Sequence, residues 1–411
     1  MNNTTEQQNY KIIYFSFIWH SFFLALTMSM LDLNTVFPSL VSELTKSKFV
    51  FGILYSIMLG VPLVFNIIFS HYLKSFKYKK KFLLIGIYLR SISFLGMAFF
   101  TYVFGALYPD LTLYSFFLWV FLFSISAGFA GIAYADIMAK ILDSKRRTEL
   151  YAVKQFFGSL AAFLGGFAIS KIFTSSSYGY PLNYSISLTI GFIGLFIASL
   201  GFLLIKEPPS EVRHIESDTF ISYLKNVPKI LKEDKRFRKF IIVENLASFS
   251  IMILPFYMIF AKDIFNVDNS YIGKYLIFQI IGTIFSNFIW VFIAKTFNSK
   301  TIIKICIALG GLIPIVAILL SKSGPDYFII LFILIGFIIS GRRVGFEPYL
   351  LDIAPSDKRT EYLGINGTLN IFIVILPILG GTFIDLIGYY FTFVMVTFAM
   401  IAALLLLNAK D

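Results

Sequence analysis

Apolar runs of about 20 residues follow one another along the whole chain, and a run of that length crosses the roughly 30 Å of hydrocarbon in a bilayer. Lipid offers no hydrogen bonds to a backbone, so such runs must close their own amide ladder as helices. Twelve spans are expected, near residues 12–34, 49–72, 82–105, 112–139, 149–173, 184–205, 240–262, 270–294, 301–320, 327–351, 360–384 and 388–408. A water-soluble fold would need far more polar side chains than a chain that is 58% hydrophobic and 14% charged provides. The sequence therefore reads as an all-α polytopic membrane protein. Pro62, Pro255, Pro314 and Pro377 fall inside the spans, where neighbouring groups tolerate them as kinks.

The same composition narrows the chemistry. Cys306 is the one cysteine and His20, His71 and His214 lie far apart, so no metal cluster or other cofactor is expected. The first eleven residues are polar and lack a basic leader region, so the first apolar run is read as an uncleaved span. The net charge of +12 could suggest nucleic acid, but its placement follows the membrane instead. Loops on one side of the twelve spans carry Lys74, Lys77, Lys79 to Lys81, Lys140, Lys145 to Arg147, Lys295, Lys300 and Lys358. Loops on the other side hold few basic residues. The positive-inside rule then puts the basic side and both termini in the cytoplasm of a cell (inner or plasma) membrane. No nucleic-acid partner is expected, and the protein is expected to act as a monomer.

One long connection divides six spans from six. The expected division is an N-terminal bundle over residues 1–205, a basic cytoplasmic linker over 206–239 and a C-terminal bundle over 240–411. Pro208 and Pro209 end the sixth span. Phe220, Tyr223, Leu224, Val227, Ile230 and Leu231 then fall on one helical face among basic residues. That pattern suits a helix on an anionic leaflet or a plain linker, and Pro228 is expected to bend or split it.

The two halves also repeat each other's loops. "LKSFKYKKK" after the second span matches "AKTFNSKTI" after the eighth, and "KILDSKRRTEL" after the fourth matches "DIAPSDKRTEY" after the tenth. Gly165-Gly166 and Gly380-Gly381 follow the two Arg-Thr-Glu strings at slightly different distances. Recurrence of a six-span unit is the mark of transporters built from repeats.

With this layout the chain resembles the major facilitator superfamily over nearly its whole length. The family's loop after spans two and eight reads Gly-x-x-x-Asp-Arg-x-Gly-Arg-Arg; here Lys74 and Lys295 stand at the aspartate and the glycines are missing. The acidic-x6-Arg pattern after span ten is met by Asp352 and Arg359, whereas Lys140 and Arg147 stand at the first-half positions. The resemblance implies two pseudo-symmetric six-helix bundles rocking around a central site, spans one, four, seven and ten lining it, and loop charges closing the cytoplasmic side. With lysines in place of aspartates, acidic partners are expected: Asp136, Asp143 or Glu149 for Lys74, and Glu347, Asp352 or Glu361 for Lys295. Thr148 and Thr360 are expected to cap the helices that follow, with Glu149 and Glu361 in their first turns.

Ionisable residues inside spans are costly in lipid and usually serve a cavity. The candidates for substrate or proton handling are His20, Asp32, Lys154, Glu244, Arg342, Arg343 and Glu347. Arg343 and Glu347 are four apart, on one helical face, and are expected to pair. His20 is as well explained by packing, Glu244 by a basic partner in the middle loop, and Arg90 by snorkelling towards the headgroups. The expected function is secondary active transport of a small molecule coupled to protons, with efflux of amphipathic compounds favoured over uptake of a polar or anionic solute. A non-transporting membrane sensor is the alternative of another class; an enzyme is not expected, since no nucleophile, base or metal site converges.

Overall fold

The computed structural model describes residues 2–73, 76–209, 220–355 and 359–409. The described residues form helices joined by turns, without a strand. In chain order they are α1 (Asn2–Met30), α2 (Val36–Leu44), α3 (Lys48–Leu73), α4 (Lys80–Phe104), α5 (Pro109–Ile141), α6 (Ser144–Thr174), α7 (Leu182–Leu203), α8 (Phe220–Glu233), α9 (Lys235–Ala247), α10 (Phe249–Ile253), α11 (Phe256–Phe265), α12 (Ser270–Thr296), α13 (Ser299–Leu320), α14 (Ile329–Ile353), α15 (Arg359–Leu369) and α16 (Leu376–Asn408). Eleven stretches of these are long and apolar enough to cross a membrane. Gly388, at φ 82°, breaks α16 into two helical pieces. The piece before it follows α15 and a 3-10 turn over Asn370–Val374. The arrangement is compatible with twelve crossings.

The helices depart from simple rods where the sequence supplies a competing hydrogen bond or removes one. α1 stops at Met30 rather than near residue 34, because the Asp32 carboxylate accepts from the Asn34 amide (3.0 Å) and the Thr35 hydroxyl (2.9 Å). That side-chain turn replaces the helical ladder. The span expected over 240–262 is three pieces, α9 to α11. Ser248 folds its hydroxyl back onto the Glu244 carbonyl at 2.8 Å, and Pro255 has no amide hydrogen to continue the ladder. Conversely, α8 runs through Pro228 without splitting and ends where Asp234 caps α9, accepting from the Phe237 amide at 2.8 Å.

The chain divides into two compact units. The first comprises Met1–Lys46, Leu54–His214 and Asn269–Ile277. Within it α4 packs on α5 and α7, and α1 packs on α6 and α7. Small residues let these backbones approach, as membrane interfaces require when water supplies no driving force. A Cβ on Gly165 would lie 2.7 Å from that of Ser29, and one on Gly96 would enter the Trp119 ring. Phe17, Ala133, Ile137, Leu150 and Phe202 form part of a buried apolar core near the Lys-rich loops.

The second unit comprises Ser47–Ile53, Ile215–Asp268 and Phe278–Asp411. Here α13 packs on α14 and α16, and α9 packs on α16. Gly282 and Gly336 face each other's helices so closely that a Cβ on either would meet a backbone oxygen at 2.3 Å. A polar seam runs beside this contact: Thr283 Oγ1 donates to the Gly336 carbonyl at 3.3 Å and Trp290 Nε1 to Ser340 Oγ at 2.9 Å, while Ser286 and Ser340 share a hydrogen bond.

Candidate functional site

Inside the first unit, α1, α4, α5 and α6 enclose a cavity of about 230 Å³. His20, Ser21, Arg90, Tyr134 and Lys154 supply its polar lining, and none of the lining residues is acidic. Arg90 lies ten residues into α4, and Lys154 five residues into the apolar stretch of α6 that begins at Glu149, ~15 Å and ~8 Å by the helical rise. Arg90 Nε donates to Ser126 Oγ at 3.1 Å and the guanidinium sits 5.6 Å from the Phe123 ring centre. Its remaining N–H groups meet no protein acceptor among the described residues. The Lys154 ammonium hydrogen-bonds the Tyr134 hydroxyl and lies over the rings of Tyr134 and Tyr151, at 4.6 and 4.8 Å. Aromatic faces are the neutral partners available to a cation in so apolar a setting.

His20 is buried, with its ring 4.7 Å from Phe202 and 5.9 Å from Tyr134. The Ala198 carbonyl takes one ring nitrogen, and Nδ1 has no protein partner. The structure thus brings His20 and Lys154 together, although they are 134 residues apart, and adds Arg90 and Tyr134. Arg90 reaches Ser126 in the interior instead of snorkelling outward. Asp32 lies elsewhere, locked in the turn between α1 and α2.

The second unit holds a different constellation. Glu244 is buried on α9, nine residues from Lys235, which is ~14 Å along the helix. Asn366 and Asn370 hydrogen-bond its carboxylate, and Arg342 lies within electrostatic range. Its Oε2 remains without a partner, as do Asn366 Oδ1 and Asn370 Oδ1. Arg342 donates to the Ala247 carbonyl at 3.2 Å and to Ser248 Oγ at 3.1 Å, across the break between α9 and α10, and lies 4.5 Å from the Phe346 ring centre. The guanidinium thereby fills carbonyl valences that the broken helix leaves open.

Arg343 and Glu347 are both exposed and form no ion pair among the described residues. Shared helical spacing places them on one face without drawing the side chains together, because nothing excludes the surroundings from either. Arg342, one position earlier, turns about 100° away and into the interior. The middle-loop partner expected for Glu244 is replaced by Arg342 and the two asparagines.

At the Lys-rich loop ends the two halves differ. Asp136 pairs with Lys79 Nζ at 2.7 Å and Lys140 Nζ at 2.6 Å, and Lys140 also reaches Glu207 at 2.7 Å. Glu207 further accepts from the backbone amides of Lys79 (2.8 Å) and Lys80 (2.7 Å), capping α4 from a residue 128 positions away. Lys74, Asp136's expected partner, lies outside the described residues. In the second half Asp352 takes a hydrogen bond from Ser299, and Lys295 is exposed and unpaired among the described residues. The side chains of Arg359 and Glu361 are also outside the described set. α6 starts at Ser144, not Thr148, because Asp143 is the cap and accepts from the Arg146 amide at 2.9 Å. Thr148 therefore falls inside the helix, and Arg359 just ahead of Thr360 is already helical. Arg147 is half-buried and Glu149 exposed, on the first turns of α6.

Glu207 had no signal in the sequence beyond an acid among lysines after the sixth span. The bare run "KYKKK" was the stronger hint: it opens α4 without a Ser, Thr, Asp or Asn cap, so its amides needed a partner from elsewhere.

A family model described as Major Facilitator Superfamily matches residues 18–260 and 240–410. No curated protein matches the sequence. Among solved structures, the chain is similar to the nucleoside transporter NupG at 14% identity, covering 97% of this chain and 99% of that one with a TM-score of 0.71. It is similar to a D-xylose-proton symporter at 13% identity, covering 97% of each chain with a TM-score of 0.70. It is also similar to a peptide transporter POT in complex with sulfate, at 12% identity over 96% of this chain and 93% of that chain, with a TM-score of 0.69. At these identities the likeness is one of fold.

Proposed function

Because the chain belongs to the Major Facilitator Superfamily, we propose that it is a proton-coupled secondary active transporter of a small molecule, with Glu244 as the group that takes up and releases the proton. The observation that carries the coupling is the Glu244 carboxylate. It is buried, has one oxygen without a partner, and stands beside a guanidinium at a helix break. An unsatisfied buried carboxylate oxygen is costly unless a proton or a ligand completes it. Arg342 offers the counter-charge when the proton leaves. A structural neighbour described as a D-xylose-proton symporter supports the same type of coupling.

The asymmetric lysine distribution supports cytoplasmic termini in a cell membrane. The division at the middle loop supports two bundles, over residues 1–205 and 240–411, joined by the basic linker. Efflux of amphipathic compounds draws its support from the 18% aromatic content, but the cavity in the first unit sets Arg90 and Lys154 among apolar side chains with no acidic residue. Uptake or exchange of a polar, anionic solute fits that lining better.

Purified protein in sealed vesicles tests the reading. Carboxylates, phosphate esters, sugars, nucleosides and cationic amphiphiles are offered with and without a pH gradient. Gradient-dependent accumulation of any of them supports proton-coupled transport. Tight ligand binding without flux identifies a sensor, and flux indifferent to the gradient removes the proton.

A further inference from the structure

The cavity within the first unit is a binding subsite in its own right, and we propose that it takes the oxyanion of the solute, a carboxylate or a phosphate monoester, between Arg90 and Lys154. This deepens the transport reading and rests on it only for the identification of the ligand as cargo. The binding itself stands on the cavity.

Two features point to an anion. First, the lining brings a guanidinium and an ammonium to one space without an acidic residue. Two like charges inside an apolar bundle repel each other and lose hydration, so an anion between them relieves both costs. Second, their protein partners leave donors over. Arg90 spends Nε on Ser126, and Lys154 spends one hydrogen on Tyr134. A guanidinium has five N–H donors and an ammonium three.

Depth and size constrain the ligand further. Arg90 lies ~15 Å along α4 from the nearer end of its apolar span, so a lipid phosphate at the headgroups does not reach Arg90 and Lys154 together. A cavity of about 230 Å³ is smaller than the roughly 300–1,000 Å³ that hold a drug-sized ligand. It therefore receives the charged end of a solute or a compact acid, not a large amphiphile. Arg90 supplies the planar, two-pronged contact that carboxylate and phosphate oxygens share, and Lys154 supplies a mobile point charge.

The test uses detergent-purified full-length protein and three probes: benzoate, phenyl phosphate and the neutral analogue benzamide. Binding is read as a saturable rise in melting temperature and by equilibrium titration. Benzoate or phenyl phosphate is expected to bind, whichever fits better naming the preferred oxyanion, while benzamide does not. Arg90→Gln and Lys154→Met should each weaken the oxyanion by roughly tenfold or more, the loss expected for a charge-assisted hydrogen bond. Lys154→Arg, which keeps the charge, should retain the preference and shows that the pocket still folds. Equal binding of benzamide, no binding of either oxyanion, or unchanged affinity in folded Arg90→Gln and Lys154→Met overturns the proposal. Vesicle flux is scored separately, so oxyanion binding without transport overturns the transport reading and leaves the subsite standing.

Discussion

The two units of this protein keep ionisable groups at similar depths but set them in opposite electrostatic balance. In the first, Arg90 and Lys154 share a cavity with His20 and no acid. In the second, Glu244 stands near Arg342, and the guanidinium is spent on the Ala247 carbonyl and Ser248 hydroxyl of a broken helix. The loop ends repeat the contrast. The first half ties Lys79, Asp136, Lys140 and Glu207 into one cluster, whereas the second ties Asp352 to the neutral Ser299. The two halves thus share loop strings in sequence while their charges diverge. The excess charge of the first unit asks for an outside anion; the near-balance of the second suits a group that changes protonation.

That division of labour can be broken in several ways. The largest expected effect comes from Glu244→Gln. It should lower gradient-driven accumulation by about a hundredfold, the lower end of the range for loss of a positioned acid–base group, while oxyanion binding changes little. If the variant loses both together, the two units are not doing separate work. Gly336→Leu is the packing counterpart: its side chain has nowhere to go against the Gln279 carbonyl and the Thr283 amide. It should cost about 3 kcal/mol or prevent folding, as overpacking at a tight crossing does, and detergent thermal melts check it.

The loop ends sharpen the contrast further. Glu207→Ala strips the Lys140 ion pair and the α4 cap at once, and should destabilise the first unit by about 2–4 kcal/mol. Ser299→Ala, at the matching end of the second half, should cost roughly 0.5 kcal/mol, as surface changes usually do. Equal effects in the two melts would erase the asymmetry. Lys295→Ala should be smaller still, within roughly 0.5 kcal/mol, because the side chain is exposed and forms no ion pair among the described residues.

The spans were legible because bilayer thickness dictates their length, and the lysine-rich loops ordered them. The breaks were less so. A turn set by Asp32 and a hydroxyl folded back at Ser248 depend on local hydrogen bonds that hydropathy does not register. Pro255 did mark one of the interruptions, and the expected gap between residues 384 and 388 another. Among candidate residues, Lys154 and Glu244 stood out as charges within apolar runs. Arg90 looked like a snorkelling side chain, since whether an arginine faces lipid or a cavity depends on the helix beside it, here Ser126 and Phe123 on α5. The Arg343–Glu347 spacing misled because four-residue separation gives proximity without burial, and both side chains remain exposed. Glu207 was hidden by its 128-residue distance from the amides it caps.

The account turns on whether Glu244 couples a proton gradient to movement of a solute. The direct measurement is accumulation in sealed vesicles holding either the unaltered protein or Glu244→Gln, with and without an imposed pH gradient. The prediction is gradient-driven accumulation above equilibrium for the unaltered protein, and passive exchange without accumulation for the variant. Undiminished accumulation by Glu244→Gln would contradict it.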